Sequence, residues 1–163
     1  MSPVDNSDDP LARAELLYLF GMAFQLLLAE FNQQLAEAGY ADLRPVHGLA
    51  FQALGRRGAT SSELAERLGV SKQAAGQLVD DLERRGYLRR EPHPAGGRRK
   101  LVTLTDRAQE HLAVAGRVLH RLEAELAGRM GARDGELTAV RGYLARLIRE
   151  MAPEGPPPLR PVW

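Results

Sequence analysis

The 163-residue chain contains no cysteine, which removes disulfides, thiolate metal sites and thiol redox chemistry together and suits a reducing compartment. It also has no long apolar run. The most hydrophobic stretch, "LLYLFGMAFQLLLA" at 16–29, is broken by Gly21 and Gln25 and is shorter than the roughly 20 residues a bilayer helix needs. The start, "MSPVDNSDDP", is acidic and polar where a signal peptide would be basic and then apolar. These absences predict a cytoplasmic protein with no membrane partner. Signatures of catalysis are missing too, with no phosphate-binding glycine loop, nucleotide fingerprint or nucleophile elbow. The four histidines, His47, His93, His111 and His120, have no metal-ligand spacing. No catalytic residue, metal or cofactor is therefore expected. His111 and His120 fall nine residues apart on one long helix and are expected to share roughly one face, each more readily a surface or core histidine than a ligand.

Charge of one sign is scarce overall, since the net charge is +1, but its distribution is uneven. Residues 56–100 hold 11 Lys and Arg against six Asp and Glu, and both lysines of the chain, Lys72 and Lys100, lie there. Such a local excess is the electrostatic footprint of a nucleic-acid surface, although solvated basic faces are common.

What is present is a series of helical patterns. Residues 1–9 and the Pro-rich tail 153–163 have little to bury and are expected to be disordered arms, leaving a body at 10–152. From Pro10 to about Ala38 the pattern is helical and apolar around most of its circumference between 16 and 28, so it must bury more than one face. In a chain this small the second face best meets another subunit. A loop "YADLRP" and a short helix "VHGLAFQALG" follow. Thr60 and Glu63 make a capping box for a helix over 61–68 with Gly69 as its left-handed exit. Ser71 caps a further helix to about Arg85, completing a helix-turn-helix. "YLRREPHPAGGRRKLVTLT" reads as a β-hairpin with Pro92 and Pro94 at an edge and Gly96-Gly97 at the reversal. Thr105 caps a long helix to about Ala127, and a last helix spans about 136–151. The fold class is thus mainly α with a small β-hairpin wing.

At 100° per residue, Ala75, Leu78, Val79 and Leu82 form the core stripe of the second helix, and Gln73, Gln77 and Arg84 are centred opposite. Its exposed N-terminal half carries amides, Lys72 and small Gly76, with no acid before Asp80. A helix entering a major groove needs this, because a carboxylate there would face phosphates. Gln can bond the adenine edge in two places and Gly76 permits close approach. Asp80 and Asp81 are expected to be answered by Arg84 and Arg85 four residues on. Arg98, Arg99 and Lys100 stand consecutively at the hairpin turn, suited to a narrow minor groove or flanking phosphates. The DNA-binding set is therefore Ser71, Lys72, Gln73, Gly76, Gln77, Arg98, Arg99 and Lys100. A winged helix that binds protein instead of DNA is the alternative.

The stretch "SSELAERLGVSKQAAGQLVDDLERRGYLRREPHPAGGRRKLVTLT" resembles the helix-turn-helix and wing of the MarR family of dimeric winged-helix transcriptional regulators almost position by position, and the resemblance spans roughly residues 11–151. It implies a DNA-binding lobe at 55–105, dimerisation helices at 10–38 and 106–152, and a homodimer. It further implies a near-palindromic double-stranded operator, and repression relieved by a small-molecule effector as the commonest logic. The implied effector pocket lies between the dimerisation helices and the DNA-binding lobe, with Phe24, Phe31, His47 and Phe51 as candidates to line it, though aromatics at helical spacing are more often core. One departure stands out. The family usually carries an Asp two residues before the wing arginine, and here that position is Gly96, so the wing is either more mobile or holds Arg98 differently.

Overall fold

A computed structural model of the chain describes residues 9–131, 133 and 135–160. The expected arms at 1–9 and 153–163 therefore fall partly outside the described residues. Six α-helices and one two-stranded antiparallel sheet are present among them.

The single long first helix of the expectation is divided in three. Asp9 accepts the Leu11 N–H at 2.9 Å and Pro10 opens a 3-10 turn, Pro10–Arg13. Ala14 and Glu15 are then extended, and α1 runs Leu16–Leu35 before a π turn, Ala36–Tyr40, containing Gly39 at φ 99°. The early cap of Asp9 satisfies the turn locally, so the chain leaves helical geometry and must start again at Leu16.

Helix α2, Pro45–Leu54, starts at a proline whose missing N–H costs nothing there. Helix α3, Ser61–Leu68, carries the full capping box. The Glu63 N–H donates to Thr60 Oγ1 at 3.2 Å, and the Thr60 N–H donates to Glu63 Oε2 at 2.7 Å. The Thr60 N–H, and after it the Thr60 hydroxyl, donate to the Glu63 carboxylate and hold it below its ordinary range. Gly69 exits α3 at φ 67°, and Ser71 Oγ accepts from the Ala74 N–H to begin α4, Lys72–Arg84.

Strands β1, Leu88–Pro92, and β2, Lys100–Leu104, pair from Leu88↔Leu104 to Pro92↔Lys100. Val102 also exchanges both backbone hydrogen bonds with Ala59, which pins the hairpin base to the loop before α3. The core lies where α2, α3, α4 and this base meet. Phe51, Leu64, Val79, Leu82, Tyr87 and Val102 are fully buried there. Helix α5, Asp106–Arg129, capped by Thr105, leaves this lobe and packs along α1, and α6, Glu136–Met151, has no buried residue. None of the helices among the described residues is long and apolar enough to cross a membrane.

Candidate nucleic-acid interface

Helix α4 is fixed to the lobe by Ala75, Val79 and Leu82, each fully buried, with Leu78 half-buried beside them. At helical spacing this stripe turns Lys72, Gln73 and Gln77 outward, and all three are exposed, as is the capping Ser71; Gly76 is half-buried. Gln77 also borders a cleft shared with Ala74, Leu78 and Val46, which Gln73 does not line. At the wing tip Arg98, Arg99 and Lys100 are exposed. The two groups thus stand on successive elements, a helix N-terminal half and the tip of the following hairpin.

The acids of α4 are held by partners the helical spacing only half suggested. Asp81 pairs with Arg84 at 3.3 Å and Arg85 at 2.9 Å. Asp80 is not answered by Arg84, whose Nε donates to the Asp80 backbone carbonyl. Its carboxylate instead meets Arg90 Nη2 of β1 at 2.6 Å, and Arg90 Nη1 also binds Glu83. The cause is simple: a strand packed beside the helix brings Arg90 to two carboxylates, and the guanidinium fork can satisfy both. Arg90 and Glu83 are neighbours of the candidate interface that helical periodicity alone could not reveal.

Beneath α4 lies a polar joint. Arg85 Nη1 donates to the Asp42 carbonyl at 2.6 Å, the Tyr87 hydroxyl donates to the Asp42 carboxylate at 3.3 Å, and Arg107 lies 4.3 Å over the Tyr87 ring. His47, 0 % exposed, accepts the Arg44 N–H at Nδ1, so the ring proton sits on Nε2, 4.0 Å from Asp81 Oδ2. Burial first, and then the charges of Arg44 and Arg85, push its pKa down to about 4. Two of the four pocket candidates, His47 and Phe51, are fully buried and do not line the cavity between α1, α2 and α5. Phe24 and Phe31 do line a cavity of about 360 Å³ between α1, α2 and α5, together with Arg44 and His111. His111 is buried with its pKa lowered by desolvation, while His120 is exposed. The expected shared face of these two histidines does not exist, since nine residues at 100° each place them half a revolution apart. Among the described residues no group of His, Asp and Glu could hold a metal ion.

A helix-turn-helix whose second helix is anchored by one stripe and bare on the other, followed at once by a basic hairpin, defines a winged-helix protein. Residues 34–99 match the model of the MarR family, from the end of α1 through the helix-turn-helix to the wing tip. The chain is similar to MepR, a transcription regulator of the Staphylococcus aureus multidrug efflux pump MepA, at 18% identity over 85% of this chain and 99% of that one, with a TM-score of 0.68. It is also similar to a cysteine-to-serine mutant of MarR from E. coli, at 22% identity over 82% and 96% of the two chains, TM-score 0.67. A structure of the S. aureus MepR–DNA complex matches at 18% identity over 85% and 99%, TM-score 0.63. No curated protein matches the chain. The fold is that of a MarR-like winged helix.

Proposed function

We propose that the chain is a sequence-specific DNA-binding transcriptional regulator acting as a homodimer, a repressor released by a small-molecule effector. One observation carries the reading: the outward face of α4 presents Lys72, Gln73 and Gln77, beside Arg98, Arg99 and Lys100 at the wing tip, all exposed and none with a side-chain hydrogen bond or ion pair to any described residue. Side chains so placed gain partners only from outside. Amides and a lysine on the helix suit base edges and phosphates of a major groove, and the tip cations suit the flanking minor groove or backbone. That the MepR–DNA complex shares this fold supports the same docking.

The dimer is supported by α1 and α6. Leu17 and Leu26 of α1 are 78 % and 72 % exposed, and Val140, Tyr143 and Ile148 of α6 are exposed as well. Apolar surface on this scale marks an interface, and two copies related by a two-fold would place two α4 helices about one turn apart on DNA. The cavity beside α1, α2 and α5 is the effector site of this proposal, mainly apolar with Arg44 as a cation in its lining.

Fluorescence anisotropy with the DNA upstream of the protein's own gene tests the reading. Affinity should exceed that for shuffled DNA and fall steeply with salt. Equal affinity for both DNAs sinks it. The repressor assignment is checked by a reporter on that promoter, whose output should rise when the gene is deleted.

A further inference from the structure

The missing side chain at Gly96 leaves the wing tip without an obvious brace, yet its cations follow within four residues. Gly96 and Gly97 have φ of 74° and 80°, and a Cβ on either would meet nothing within 4 Å. No packing at these two glycines orders the tip, and hydrogen bonding must do so instead.

Those bonds converge on one residue. The Gly96 N–H donates to the His93 carbonyl at 2.8 Å, closing a four-residue turn from His93 to Gly96. Pro94 is its second residue and Ala95, with negative φ, its third, the type I pattern, in which Asp, Asn or Ser is favoured at the first position. Their preference arises because a short side-chain acceptor there reaches the N–H two residues on. His93 does the same, its Nδ1 accepting the Ala95 N–H at 3.1 Å. On the opposite side its own N–H donates to the Arg99 carbonyl at 3.2 Å, tying the turn to the returning strand between Arg98 and Lys100. His93 lies at the foot of the exposed tip that carries these cations.

We propose that His93 is the positioning residue of the wing, its imidazole nitrogen fixing the turn that aims Arg98 and Arg99. It acts through the arginines and does not itself read DNA. This rests on the DNA-binding function proposed above, and the two can fail separately. Removing one such hydrogen bond produces about a five-fold change in an equilibrium.

The test uses the full-length protein with His93→Ala and His93→Asn, both first shown to keep the wild-type melting temperature. Backbone ¹⁵N relaxation on the free protein reads the tip. In His93→Ala, order parameters at Ala95, Arg98 and Arg99 should fall from the rigid range near about 0.85 toward about 0.6, and affinity for operator DNA should drop roughly five-fold. Asn supplies an acceptor at the position turns of this type favour, so His93→Asn should restore both. An unchanged tip in His93→Ala overturns the proposal, as does a His93→Asn variant as impaired as His93→Ala. Should the wild-type protein show no DNA preference, the functional reading falls while the relaxation data still decide the role of His93.

Discussion

At the residue scale, the division of labour between helix and wing predicts two different losses. Gln77→Ala should alter preference at one base step by roughly 1–3 kcal/mol and leave affinity for non-cognate DNA nearly unchanged. Lys100→Ala should weaken binding on every sequence and reduce the slope of log affinity against log salt by about one, the share of a single neutralised phosphate. Competition titrations over a salt series separate the two, and a uniform loss in Gln77→Ala contradicts base reading by that residue. His47 makes a prediction about stability. Its imidazole takes up a proton near pH 6.5 when the chain is unfolded and only near pH 4 when folded. Between those values the unfolded chain binds more protons, so stability falls as pH drops from about 6.5 toward 4, by at most about 3 kcal/mol from this group. Urea unfolding at pH values of about 7, 5.5 and 4.5 should show that decline, with a shallower slope in His47→Gln; equal slopes would remove His47 as a cause. Several residue roles were legible from spacing alone, such as the Thr60–Glu63 box and the Ser71 cap, because their partners lie three residues away. Arg90 and Asp42 were not, because their partners are set by how a strand or loop packs, which periodicity does not encode; the His93 bond is local, but its acceptor is an imidazole where turn signals are read from Asp, Asn or Ser.

At the scale of elements, the helix-turn-helix and hairpin follow from local signals that agree with one another: caps, left-handed glycines, and a period that switches from helical to alternating. The α6 bounds and the α4 stripe were readable for that reason. The break before α1 was hidden, since the pattern from Leu11 to Leu19 is apolar at helical spacing and the competing cap of Asp9 lies just upstream. The joint between hairpin and lobe makes the sharpest prediction at this scale. Gly58 has φ 70°, and a Cβ there would run into the Val102 carbonyl that pairs with Ala59. Gly58→Ala should therefore destabilise the fold by about 2 kcal/mol or more. Chemical denaturation gives the number, and a loss under about 0.5 kcal/mol would show that the wing base is not seated as described.

At the scale of the molecule, the main buried apolar cluster of the described residues lies in the lobe that carries the helix-turn-helix, while α1 and α6 offer exposed apolar faces. Leu26→Glu would place a charge in the middle of the α1 face. It should convert the proposed dimer of 17.9 kDa chains to monomer in sedimentation velocity while the melting of the lobe is retained, and should abolish cooperative operator binding. A monomeric wild-type protein at micromolar concentration would remove the basis for two coupled half-sites. The uneven charge of 56–100 marks the segment proposed to lie against DNA, and the proposed pairing of chains rests on a first helix apolar on more than one face.

The most direct test of operator binding by a two-fold dimer is a hydroxyl-radical footprint on operator DNA. Two α4 helices on a two-fold axis predict two protected patches about 10 base pairs apart, centre to centre, flanked by weaker protection from the wings. Two protomers should be bound per site. A single patch, or uniform protection with no periodicity, would contradict it.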